Sequence, residues 1–157
     1  MTTADIKIRD YGNSDAENLN RIAVAAFAQF RDQYQDWPAM LAGLSKTSDL
    51  SASGEVIVVE FQSQFAGAVA YFGPDSPKAA FFDQSWPVIR MLVVDPAFRG
   101  KGLGRGLSAE CIARAKLDRS PLIALHTSPI MSALPMYLRM GFVKAYDAPP
   151  ISGVGYA

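Results

Sequence analysis

The chain has 157 residues, the size of one domain, and its 50% hydrophobic and 19% charged residues exclude a disordered tail or linker. Lys and Arg number 15 and so do Asp and Glu, so no global positive field exists to hold nucleic acid or an anionic membrane. One cysteine, Cys111, and one histidine, His126, exclude an internal disulfide and a Cys/His zinc site.

Ile6 and Ile8 alternate with Lys7 and Arg9, which predicts a short half-exposed strand. Asn13, Ser14 and Asp15 offer helix caps, and Leu19, Ile22, Ala23, Ala26, Phe27 and Phe30 follow at helical spacing. A second helix is expected to start near Asp36, with Pro38 in its first turn and Met40, Leu41 and Leu44 along it. Residues 45–54 are polar and read as a loop. EVIVVEF at 55–61 and FAGAVAYF at 65–72 read as an antiparallel hairpin, although Gln62-Ser63-Gln64 lacks an Asn-Gly turn signal. VIRMLVV at 88–94 is apolar on both alternating faces except at Arg90, as in a central strand covered on both sides. A glycine-rich loop follows, then a helix over 103–117 with Leu107, Cys111, Ile112 and Ala115 at helical spacing. PLIALH at 121–126 reads as a strand. Ser128 and Pro129 suit the start of a helix ending at Met140, and Pro135 inside it must kink that helix or delay its start. Residues 142–146 read as a last clear strand, with a further short one at 154–156. No run approaches the ~20 apolar residues of a membrane span, and the opening residues lack the apolar core of a secretory signal, so a cytoplasmic protein is expected. No internal repeat or long linker divides 1–157, and the order of elements predicts an α/β or α+β domain with helices on both faces of a sheet.

The chemistry concentrates in Val93-Val94-Asp95-Pro96-Ala97-Phe98-Arg99-Gly100-Lys101-Gly102-Leu103-Gly104-Arg105-Gly106. Glycines let the backbone turn tightly and bring its N–H groups close to a ligand. The free N–H groups and dipole at a helix start favour phosphate oxygens, and Arg99, Lys101 and Arg105 add cations there. A plain glycine-rich corner with solvated basic residues requires neither three cations nor four alternating glycines. No Lys-Ser or Lys-Thr pair follows the glycines, which excludes a P-loop nucleotidase. The dinucleotide pattern G-x-G-x-x-G/A can be forced onto Gly104, Gly106 and Ala109, but no acidic residue ends the next strand to hold a ribose.

The pattern R-x-x-G-x-G is met by Arg99, Gly102 and Gly104, and here the sequence resembles the GNAT superfamily of acetyl-CoA-dependent N-acetyltransferases. LVVDPAFRGKGLGRGL resembles that family's central strand, pyrophosphate loop and helix. Ala133, Tyr137, Gly141 and Phe142 match its A-x-x-x-Y-x-x-x-G-F pattern, and the element order fits from Ile6 to about Tyr146. The resemblance implies a single N-acetyltransferase domain over 1–157. Its mixed, mostly antiparallel sheet would have six to seven strands, splayed between the fourth and fifth. Acetyl-CoA would enter that opening, with backbone groups of Leu92, Val93 and Val94 bonding the pantetheine amides. The pyrophosphate would rest on Arg99, Gly100, Lys101, Gly102, Leu103 and Gly104, with Arg105 nearby. Tyr137 would protonate the leaving thiolate, and the partners would be a CoA thioester and a primary amine, with no metal, nucleic acid or membrane.

The chain departs from the family pattern at two places. Many members carry a Glu near the positions of Arg90 and Met91, and many carry an Asn where Ile130 stands. The general base is therefore expected to be water held by backbone carbonyls or a carboxylate from elsewhere, Asp83 being a candidate to which nothing commits. His126 is a structural or backbone-bonded histidine, or else a base or substrate contact, and Arg90 is paired with an acid or faces the cleft to bind a substrate carboxylate. Cys111 reads as inert core. Tyr34, Trp37, Phe81, Phe82 and Trp86 fall where this fold builds its acceptor pocket; an aromatic acceptor site, core packing and a homodimer contact all stay open. Two readings of other classes compete: an acyl-CoA-binding regulatory or vestigial domain without a competent base, and, more weakly, a nucleotide-binding oxidoreductase. Zero net charge gives no electrostatic capture of histones or polycationic drugs.

Overall fold

The computed structural model of the chain describes residues 5–127, 131 and 133–148. Five strands, β1 (Ile6–Asp10), β2 (Glu55–Phe61), β3 (Gln64–Phe72), β4 (Val88–Val94) and β5 (Ala124–Leu125), form one sheet in chain order. The first four pair antiparallel, and β5 runs parallel to β4. Period-two alternation splits the apolar side chains of β2 to β4 between two cores. Val56, Val58, Ala68, Ala70, Phe72, Val88 and Val93 face helices α1 (Ala16–Ala28) and α2 (Trp37–Leu44). Ile57, Val59, Val69, Tyr71 and Ile89 face Leu103, Leu107, Cys111 and Ala115 of helix α3 (Leu103–Leu117).

Local chemistry sets the ends of these elements. In α1, Leu19, Ile22, Ala23, Ala26 and Phe27 make the buried stripe that the spacing predicts. Asp36 accepts from the Ala39 N–H at 3.1 Å and Pro38 sits in the first turn, so α2 starts where its cap residues stand. The β2–β3 turn puts Gln62 and Ser63 at φ 50° and 65°. This is the doubly left-handed geometry that suits a two-residue hairpin, reached here without glycine.

Several sequence expectations need correction. The sheet has five strands among the described residues, against the six to seven expected. Residues 142–146 form no strand: Val143 is exposed, and Tyr146 donates its hydroxyl proton to the carbonyl oxygen of Phe81. A strand needs a ladder partner, and β5 offers a two-residue edge in place of the predicted 121–126. The candidate strand at 154–156 lies outside the described residues, as do 128–130 and 132 of the predicted helix start. Helix α4 (Leu134–Arg139) begins with Pro135 in its first turn, where a missing N–H costs no helical bond. The 45–54 loop contains a 3-10 helix, Thr47–Ala52.

Ion pairs lock the sheet to its helices. Arg9 on β1 donates to both carboxylate oxygens of Asp15, at 2.8 and 2.9 Å, and to Glu60 on β2 at 2.5 Å. Asp15 is buried and also accepts from the Gly12 N–H at 2.8 Å, which fixes the entry into α1. On the other face, Arg114 of α3 donates to Asp10 at 2.7 Å and to Glu55 at 2.8 Å, and Tyr71 donates to Asp118 at 2.7 Å.

The Arg9 hydrogen bonds, opposed by burial, hold the Asp15 carboxyl below its ordinary pKa. A carboxylate depressed in the folded state adds stability above its unfolded pKa of ~3.9 and loses it as pH falls through the folded value. Asp15→Asn is therefore expected to lower stability by about 1.5–3 kcal/mol at pH 7, measured by urea unfolding. The gap from wild type should close as pH falls below ~4; a gap independent of pH would contradict the role given to this carboxylate.

Candidate functional site

The site begins with an irregularity in β4. Ala70 pairs with Arg90 and Ala68 with Val93, so β4 spends one residue more than β3 between these rungs. The extra residue is absorbed at Met91, whose φ is +57°. This bulge puts Arg90 and Met91 next to each other on the α1/α2 face and turns Leu92 to the α3 face. Gly67 is needed beside it, because a Cβ there would stand 2.6 Å from the Val93 carbonyl oxygen. On its other side β4 pairs with β5 at Val88–Ala124 and Ile89–Leu125, and the pairing stops. Beyond Ile89 the strands part, and a cleft of about 900 Å³ opens between them.

The cleft reaches the corner between β4 and α3. Asp95 accepts from the Ala97 N–H at 2.9 Å and starts the 3-10 turn Pro96–Phe98. Gly100 and Gly102 then take φ 77° and 76°, left-handed values that L side chains resist. Gly102 is the N-cap of α3, and the first helical bond there runs from the Gly106 N–H to the Gly102 carbonyl at 3.1 Å. The N–H groups of Leu103, Gly104 and Arg105 therefore have no helical acceptor, and a glycine cap has no side chain to supply one. The positive end of a four-turn helix points out of this corner.

Of the predicted binding residues, Leu92, Val94, Arg99, Gly100, Gly102, Leu103, Gly104 and Arg105 line the cleft. Val93 turns its side chain into the α1/α2 core, and Lys101 lies over the Phe61 ring with its Nζ 5.1 Å from the centroid. Arg99 crosses the cleft mouth to donate to Gln29 Oε1 at 2.9 Å, and the Gln29 amide donates to the Ala26 carbonyl at 2.9 Å.

Tyr137 on α4 is buried but lines the same cleft, edge-on to Phe142 at 5.4 Å. Burial raises its pKa above the phenolic value, against a hydrogen bond with Ser108 that lowers it, so Tyr137 stays protonated at neutral pH. Ser108 itself donates to the Gly104 carbonyl at 2.9 Å, linking the phenol to the glycine corner. His126 lines the cleft with its ring 5.2 Å from that of Phe81. Arg90 also lines the cleft, and no acid pairs with it among the described residues. It keeps solvent access, yet partial enclosure lowers its pKa from the ordinary guanidinium value. Asp83 is exposed, off the cleft wall, and accepts from the Ser85 N–H and hydroxyl at 2.9 and 2.7 Å. Of the five aromatic residues singled out, Phe82 alone reaches the cleft among the described residues. The apolar wall comes instead from Phe27, Phe30, Met40 and Leu44, whose helical spacing marked them as core and not as lining. Nothing in the sequence marked the Met91 bulge, because a left-handed methionine has no local signature.

Among the described residues no helix is long and apolar enough to cross a membrane, and no cluster of three or more His, Cys, Asp or Glu could hold a metal ion.

The family model for the acetyltransferase (GNAT) domain matches residues 52–144. No curated protein matches the chain in sequence. Solved structures share the fold. A GCN5-related N-acetyltransferase of Rhodopseudomonas palustris has 20% identity and a TM-score of 0.73, over 93% of this chain and 86% of that one. A GCN5-related N-acetyltransferase of Ralstonia eutropha has 21% identity and a TM-score of 0.62, over 94% and 99%. A predicted acetyltransferase of Clostridium acetobutylicum, solved with acetyl-CoA, has 18% identity and a TM-score of 0.66, over 93% and 95%.

Cys111 is fully buried on the inner face of α3, and burial pushes its thiol up to about 12. Native protein at pH 8 is expected to react with a thiol reagent at least ~100-fold more slowly than the unfolded chain. Reaction at the unfolded rate would contradict this packing.

Proposed function

The chain belongs to the GNAT acetyltransferase family, and we propose that residues 1–157 act as one domain that transfers an acetyl group from acetyl-CoA to a primary amine. The observation that carries this reading is the convergence on one cleft of a bare helix N-terminus, a strand edge unpaired among the described residues and a protonated tyrosine. The corner fits a diphosphate: left-handed Gly100 and Gly102 present no Cβ, three N–H groups lack helical acceptors, and Arg99 and Arg105 stand beside them. The open edge of Leu92 to Val94 suits the amides of pantetheine, since an extended ligand can complete a strand. A cleft of about 900 Å³ has room for such a ligand and a small acceptor.

In the reaction the amine nitrogen bonds to the thioester carbonyl carbon and the carbon–sulfur bond breaks. The amine gives up its proton, and the departing thiolate gains one. Tyr137, kept protonated by burial, offers its hydroxyl hydrogen to the departing sulfur, and the thiolate takes its proton as charge develops there. No Asp or Glu lines the cleft among the described residues, so the proton from the amine passes to water or to the His126 imidazole, which lines the cleft. That same absence favours one second reading, an acyl-CoA-binding regulatory domain without turnover. A cytoplasmic location belongs to the first reading.

Arg99→Ala and Gly102→Glu should each raise the CoA dissociation constant at least tenfold, ~1.4 kcal/mol, by calorimetry. Unchanged affinity would refute the diphosphate site, as would tight ATP or NAD binding without CoA binding. Tyr137→Phe should lower kcat on a good acceptor by ~100-fold with CoA affinity retained. Undiminished turnover would remove Tyr137 from the chemistry, and absence of thiol release across amines, peptides and antibiotics would favour the regulatory reading.

A further inference from the structure

The cleft is electrostatically one-sided on a chain of zero net charge. Its walls carry Lys46, Lys78, Arg90, Arg99, Arg105 and Arg139 and, among the described residues, no Asp or Glu. The residues outside the described set contain no Asp or Glu either, so none can add an acidic side chain. Acids cluster elsewhere, with Asp10, Asp15, Glu55 and Glu60 taken up by Arg9 and Arg114.

Three of the six wall cations already have work. Lys78 donates to the carbonyls of Ser76 and Gln84, both at 2.7 Å, and Gly73 at 3.3 Å, holding its own loop. Arg99 is on Gln29, and Arg105 belongs to the glycine corner. Lys46, Arg90, Arg105 and Arg139 all lack a side-chain hydrogen bond or ion pair among the described residues, and of the four only Arg90 is carried on β4, where its pairing with β5 ends. It stands on the α1/α2 face, placed there by the bulge, beside an apolar wall that includes Phe27, Phe30, Met40 and Met91. Four residues of strand, ~13 Å, separate it from the end of β4 where the corner begins, so a diphosphate held at the corner does not neutralise it.

We propose that Arg90 binds the carboxylate of the acceptor, and that the acceptor is an α-amino acid, or a close relative, with an apolar side chain. This rests on the acetyl-transfer reading. A guanidinium matches a carboxylate in a two-pronged hydrogen bond, which would fix the amine relative to the split in the sheet. The apolar wall takes the side chain, and the absence of wall carboxylates disfavours a polycation.

The test is calorimetry on the chain loaded with CoA, titrated with phenylalanine, leucine and methionine, with their amides, and with spermidine. The free acids are expected to bind at least tenfold tighter than the amides, and spermidine weakest. Arg90→Gln should erase the acid preference while CoA affinity stays within about twofold, and Arg90→Lys should keep part of it. With acetyl-CoA, the acids should release thiol and yield N-acetyl products with the same preference in kcat/KM. Amides or spermidine binding as well as the acids, a preference that survives Arg90→Gln, or no binding of any acid would each overturn the assignment. Failure of the wild-type chain to bind CoA would overturn the acetyl-transfer reading, and this proposal with it. CoA binding without an acid preference overturns the acceptor alone.

Discussion

The structure depends on how β4 divides its hydrogen bonds. Along β3 it is held from Val88 to Val94, while β5 holds it at two rungs and lets go. An unpaired strand edge inside a fold is costly unless water or a ligand takes its N–H and C=O groups. The sheet therefore opens where something extended can lie, and the opening is kept by the apolar cores on both faces. The bulge at Met91 works at the same place: it gives Arg90 to one face and Leu92 to the other, so one strand lines the cleft from both faces.

The corner and the tyrosine are tied to that split by short routes. Gly104 sits where a Cβ would meet Leu92 of β4 and Met136 of α4, both at 3.6 Å. Its carbonyl takes the Ser108 proton, and Ser108 meets Tyr137. A shift of α3 along its axis would thus move the helix N-terminus and the phenol together. The Arg114 ion pairs to β1 and β2 and the Tyr71–Asp118 bond resist such a shift from the far end of α3. Anchors distant from the cleft hold the groups that line it.

Much of this was legible in the sequence, and for identifiable reasons. The hairpin, α1, α2 and β4 follow from periodicity, and the corner from its glycines and cations. Pro135 marked a helix whose start is delayed. Three things were not legible. The length of β5 depends on where its neighbour stops pairing, a tertiary fact that PLIALH does not carry. Residues 142–146 alternate well enough for a strand but find no edge to join. The cleft lining hid because Phe27, Phe30, Met40 and Leu44 lie on the same helical stripes that build the core, and periodicity does not tell a cavity wall from an interior. Lys101 shows the limit of counting charges in a motif: it belongs to the run, yet its side chain covers Phe61.

On the proposed reading, one ligand spans the open edge of β4 and the start of α3. Backbone amide spectra of isotopically labelled protein, recorded with and without CoA, address it residue by residue. The amides of Leu92 to Val94 and of Gly100 to Arg105 are expected to shift together at one saturating concentration, while those of β1 stay in place. Shifts confined to one of the two stretches, or none in either when CoA is bound, would contradict it.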